Sequence, residues 1–119
     1  HTKPPSAMEL IKALHTLVQD YQAQNPQEPD IVILGDYNAD CSYASSEELW
    51  SSPMRNSNYT WLVPDSADTT VSSTDCAYDR IVTTGELSGR LVGTWGVDSS
   101  SFSTTNVSDH YPVWFDLYR

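Results

Sequence analysis

Asp36 and Asn38 stand two residues apart, directly after the apolar run Ile31 to Leu34 and Gly35. A carboxylate and an amide so placed can hold a hard cation or a phosphate, and open α/β sheets put their ligands outside the C-terminal ends of strands. Asp79 stands just ahead of Ile81 and Val82, and Asp109 and His110 stand ahead of the last apolar alternation. Any one of these pairs alone reads as turn chemistry, because Asp and Asn at strand ends shape turns. Together they place carboxylates, an amide and an imidazole along one sheet edge, which points to metal-assisted attack on a phosphodiester.

The elements that must position these groups are legible in outline. Leu10, Ile11, Leu14, Leu17, Val18 and Tyr21 recur at helical spacing behind Ser6 and Glu9, which form a capping-box pattern. This predicts an amphipathic helix that ends near Gln24, before Asn25, Pro26 and Pro29. The four branched apolar residues Ile31 to Leu34 predict a strand buried on both faces. Ser46 to Trp50 predicts one short helical turn, and residues 51–58 a polar loop. Strands are expected over Tyr59 to Val63, Arg80 to Thr84, Arg90 to Trp95 and His110 to Tyr118, the last with Val113, Phe115 and Leu117 on one face. Asp65 to Asp75 is rich in Ser, Thr and Asp and reads as an ordered or ion-bound loop. His15 lies off the helix stripe and is expected at the solvated surface, while Trp50, Trp61, Trp95 and Trp114 are expected in core or interface packing.

At 119 residues the chain is at most one modest domain, with neither an internal repeat nor a domain boundary. It opens on His1 rather than Met, as a processed or partial chain does, and no leader is expected to remain. No run approaches the roughly 18 apolar residues of a membrane span, so no membrane partner is expected. A net charge of −10 argues against a nucleic-acid partner, since duplex binding needs a positive footprint. Carboxylate-bound divalent cations invert that local potential and let a phosphate approach. The two cysteines, Cys41 and Cys76, fit one disulfide in an oxidising compartment or, alternatively, two buried thiols. The triplets Asn58 to Thr60 and Asn106 to Ser108 are glycosylation sequons and fit a secreted, extracellular protein.

Four blocks, Ile33 to Tyr43, Pro64 to Thr70, Cys76 to Val82 and Ser108 to Val113, resemble in order the deoxyribonuclease I family of the endonuclease/exonuclease/phosphatase superfamily. The Gly35-Asp36-Tyr37-Asn38 and Ser108-Asp109-His110 blocks mark the superfamily. The Asp65-to-Thr70 block and both cysteines mark the DNA-cutting branch. The resemblance implies a Mg²⁺/Ca²⁺-dependent DNA endonuclease, with Mn²⁺ as a substitute ion, double-stranded DNA as substrate and a protein inhibitor as a further partner. It assigns His1 as general acid or electrostatic partner of the leaving oxygen, and His110 as the histidine that activates water, oriented by Asp79. Asp36 and Asn38 would contact the scissile phosphate or its metal, and Asp109 would complete the Mg²⁺ cluster with Asp36. Asp68, Thr70, Ser72 and Thr74 match a structural Ca²⁺ loop, with Ser72 in place of the usual Thr. Cys41 and Cys76 match the disulfide that pins this loop.

The family fold is a four-layer α/β sandwich, and residues 1–119 match only its C-terminal half. The expected architecture is therefore half of that sandwich, a mixed β-sheet with a flanking helix, incomplete without the N-terminal half. That missing half would be a second chain or upstream sequence, and the apolar face meant for it would be exposed. Alone, the half should be inactive or weak. Two alternatives share parts of the pattern: a lipid phosphodiesterase or phosphatase of the same superfamily, and a non-catalytic binding descendant.

Overall fold

The computed structural model describes residues 7–118. His1 and the Ser6 position of the capping box lie outside the described residues.

Helix α1 runs Ala7–Gln24, followed by strand β1, Val32–Asp36, and a short helix α2, Ser46–Trp50. A 3₁₀ turn at Pro53–Arg55 leads into β2, Tyr59–Trp61. Strand β3, Asp79–Thr84, follows the long polar loop, and a second 3₁₀ turn, Gly85–Arg90, leads to β4, Leu91–Val97. Strand β5, Val113–Leu117, closes the described chain. The class is α/β, with a helix laid against antiparallel sheets of order β1-β3-β2 and β4-β5.

The core forms where α1, α2 and the loop after β1 meet the sheet. Ile11 and Val18 of α1 pack with Tyr37, Ala39, Leu49, Met54 and Val82. Strand β3 is central, flanked on both sides, and is buried from Arg80 to Thr84. Helix α2 carries its own start signal: Ser45 accepts from the Glu48 backbone while the Glu48 side chain reaches back to the Ser45 amide, a reciprocal cap.

The exposure of β1 departs from expectation. It is an edge strand among the described residues, and Leu34 is 66% exposed. Val32 is also exposed, on the same face by the strand's period of two, while Ile33 packs against the core. An apolar run therefore marks a strand here with one face uncovered. Leu17 and Tyr21 of α1 are likewise exposed and border the groove that Ile31 and Val32 line.

A buried electrostatic cluster braces the sheet from below. Arg80 is wholly buried; its Nε donates to the Ala77 carbonyl at 2.8 Å, and its Nη1 to the Val63 carbonyl and Asp65, each at 2.8 Å. Asp65 also pairs with Arg55, whose guanidinium lies between the rings of Trp50 and Trp61. Burial would raise the Asp65 carboxyl, but the hydrogen bonds and charges of Arg55 and Arg80 outweigh it and hold it below its ordinary value.

Candidate active site at the shared edge of β1 and β3

Antiparallel pairing brings the end of β1 beside the start of β3, with Asp36 opposite Asp79. Two like charges so placed repel, and a cation between them relieves that. His110 comes from the segment before β5, held against the polar loop by an isolated bridge between Thr70 and His110. The amides of Val71 and Tyr111 complete that bridge, donating to Asp109 at 3.0 Å and to Thr69 at 2.8 Å.

His110 Nδ1 lies 2.6 Å from Oδ2 of Asp79. An ionised carboxylate only accepts, so Nδ1 carries the proton and Nε2 is the ring's free basic position. Nε2 faces Asp36 and Asp109, each 3.9 Å away. Burial lowers the His110 pKa, but the bond to Asp79 and the charges of Asp79, Asp36 and Asp109 prevail and raise it above 6.5. Burial lifts the Asp79 carboxyl, and Asp36 adds to that, while the Thr69 hydroxyl and His110 pull it down.

The turn after β1 is held tightly. Oδ1 of Asp36 accepts the Asn38 amide at 2.9 Å, an Asx turn, and Asn38 is buried with φ +48°. Asn tolerates this left-handed conformation better than most side chains do. Cys41, at φ +53°, is bonded to Cys76, with the Cα atoms 5.9 Å apart. Asp40 adds a second tie across the same seam, accepting the Ala77 amide at 2.7 Å.

The polar loop concentrates oxygen atoms. The Thr70 hydroxyl lies 2.8 Å from Oδ1 of Asp68 and 2.6 Å from the Thr74 carbonyl, and the Ser72 and Thr74 hydroxyls are 2.7 Å apart. The structure thus gathers Asp36, Asp79, Asp109 and His110 at one edge, with Asn38 in the adjoining turn, and Asp68, Thr70, Ser72 and Thr74 in one loop. His1 lies outside the described residues.

Several groups at this edge escaped sequence reading. Tyr78 stacks on Tyr43, with centroids 5.5 Å apart, and lies 6.0 Å from the His110 ring. Tyr78 is adjacent to Asp79 in sequence, which is the only signal that could have singled it out. His15, expected at the solvated surface, is half-buried and bonded to the Tyr59 hydroxyl at 2.7 Å. No local pattern announces a contact across 44 residues.

The sequence pattern of the Endonuclease/Exonuclease/phosphatase family matches residues 1–110. Deoxyribonuclease-1 of Ovis aries is 42% identical over 123 residues, covering 95% of this chain and 47% of the sheep protein. Deoxyribonuclease-1 of Bos taurus is 40% identical, covering 95% of this chain and 43% of the bovine protein. For Sus scrofa the figures are 39% identity, all of this chain and 45% of the porcine protein. The chain thus spans less than half the length of these relatives, and it belongs to the endonuclease/exonuclease/phosphatase family.

Proposed function

We propose that residues 1–119 are the C-terminal half of a deoxyribonuclease I-like domain that hydrolyses phosphodiester bonds of DNA. The observation that carries this reading is the His110–Asp79 pair with Nε2 turned toward Asp36 and Asp109. A carboxylate-oriented imidazole beside two further carboxylates is a general base next to a cation site.

In this reading His110 Nε2 takes a proton from the attacking water. Asp79 fixes the Nδ1–H tautomer and stabilises the imidazolium that forms, the role of the Asp in a serine-protease triad. Asn38 and Asp36 meet the phosphate, and His1 is assigned to the leaving oxygen. The donor set suits a hard cation, because Asp36, Asp79 and His110 offer ligand atoms within 4.8 Å of one another. In that cluster His110 is the base and Asp79 orients it, so Asp36 is the ligand it contributes, and the resemblance adds Asp109, 3.9 Å from the same nitrogen, to hold Mg²⁺ or Mn²⁺. When bound, such an ion neutralises charge on the phosphoryl oxygens. The oxygen-only loop of Asp68, Thr70, Ser72 and Thr74 fits Ca²⁺ in the same sense.

The remaining metal ligands, DNA contacts and sheet belong to the N-terminal half. That half also covers the exposed side chains of β1 and β5, among them Leu34 and Trp114. Double-stranded DNA is the substrate in this reading, and the Cys41–Cys76 disulfide fits a secreted protein.

The test is incubation of the full-length product of the gene encoding this chain with supercoiled plasmid, sphingomyelin and a phosphoinositide, each with Mg²⁺ and Ca²⁺. Plasmid nicking, abolished by EDTA, is the expected result. Hydrolysis of a lipid without nicking would contradict the proposal.

A further inference from the structure

Thr69 sits between the oxygen-rich loop and the His110–Asp79 pair, and its side chain is wholly buried. Its backbone joins two segments: the amide donates to the Cys76 carbonyl at 3.0 Å, and the carbonyl accepts the Tyr111 amide at 2.8 Å. The second bond anchors the residue directly after His110. The hydroxyl anchors the other partner. Oγ1 accepts the amides of Tyr78 and Asp79, each at 3.2 Å, and lies 3.3 Å from the Cys76 carbonyl. One residue thus fixes the backbone of both members of the pair, although they lie 31 positions apart in sequence.

Packing alone does not account for a hydroxyl here. A valine of nearly the same shape would fill the site and leave two amides facing a methyl group. Those amides belong to the turn that aims the Asp79 carboxylate at His110 Nδ1. A shift there of some tenths of an ångström is enough to lengthen the 2.6 Å bond that sets the histidine tautomer.

We infer that Thr69 is a positioning residue for the proposed nuclease reaction, its hydroxyl holding Asp79 in line with His110 while its backbone holds the histidine segment. The inference rests on the reading of His110 and Asp79 given above. It assigns the hydroxyl a function distinct from those of its loop neighbours Asp68 and Thr70, which face the oxygen cluster.

The test compares Thr69→Val and Thr69→Ser in the full-length gene product. The readouts are kcat and KM for plasmid nicking, and the downfield ¹H resonance of the His110 ring N–H. For Thr69→Val the expected result is a fall in kcat of about tenfold or more, the usual cost of losing an orienting partner, with KM within about twofold. The ring N–H resonance should move upfield or broaden. Thr69→Ser should restore both readouts. On an Asp79→Asn background Thr69→Val should cost little more, because residues acting through one another are non-additive.

Val and wild type with the same kcat and the same resonance would overturn the inference. So would full additivity with Asp79→Asn. If Thr69→Val does not fold, Thr69→Ser decides: retention of the resonance supports the role, and its loss refutes it. If the wild type does not cut DNA, the proposed function fails, while the resonance still reports on Thr69.

Discussion

His110 meets three carboxylates: its sequence neighbour Asp109, and Asp36 and Asp79 from two distant segments. Asp79 fixes the ring, and Asp36 and Asp109 flank its free nitrogen. Their combined charge raises the His110 pKa above 6.5, and this has a definite sign in kinetics. A general base must be neutral to act, so activity should rise with pH as His110 loses its proton. Asp79→Asn removes the largest favourable contribution, so the acid limb of kcat/KM should move to lower pH as the rate falls; a pH–rate profile of both proteins checks it. In stability the sign is the reverse. A raised folded pKa contributes stability present in full below pH 6.5 and lost as pH climbs through the folded value. The residues of this candidate site were legible because carboxylates and histidine next to apolar runs are conspicuous. Thr69, Tyr78 and Asp40 were not, since nothing in a local pattern distinguishes a buried hydroxyl from any loop threonine.

At the scale of elements, β3 does most of the positioning. It starts at Asp79, pairs with β1 and β2, and is anchored at its first turn by Arg80. Burying a guanidinium is costly unless it is paired, and here Asp65 and two carbonyls pair it. Arg80→Met should therefore lower stability by about 3–5 kcal/mol, because it strands part of a buried network. Urea unfolding checks it, and a change below about 1 kcal/mol would show the cluster to be dispensable. Helix α1 followed from its apolar spacing and flanking cap and breaker residues, and β3 is expected from Arg80, one residue after its observed start. The register that sets Asp36 opposite Asp79 did not, because strand pairing over 43 residues is decided by the whole sheet. The burial of Arg80 was equally hidden, since arginine is ordinarily a surface residue.

At the scale of the molecule, apolar side chains are left facing solvent in places that a core would claim. Leu34 of β1, Leu17 of α1 and Trp114 of β5 are all exposed, at 66%, 64% and 46%. In the proposed half-sandwich these side chains belong to the face that the N-terminal half covers. The apolar run Ile31 to Leu34 predicts a strand buried on both faces, and its open face is explained if the rest of the sandwich covers it. The chain by itself should then bind a hydrophobic dye such as ANS, and co-refolding with the N-terminal half of the same gene product should abolish that binding. Persistent dye binding by the assembled protein would show that this face is not the interface.

The most direct measurement of the central claim is plasmid nicking by the full-length gene product and its His110→Ala and Asp79→Asn variants, in Mg²⁺ and Ca²⁺. Wild type should nick DNA, His110→Ala should lose about 10²–10⁴-fold in rate, and Asp79→Asn should lose a comparable factor with unchanged folding. Wild-type rates in either variant would contradict the claim.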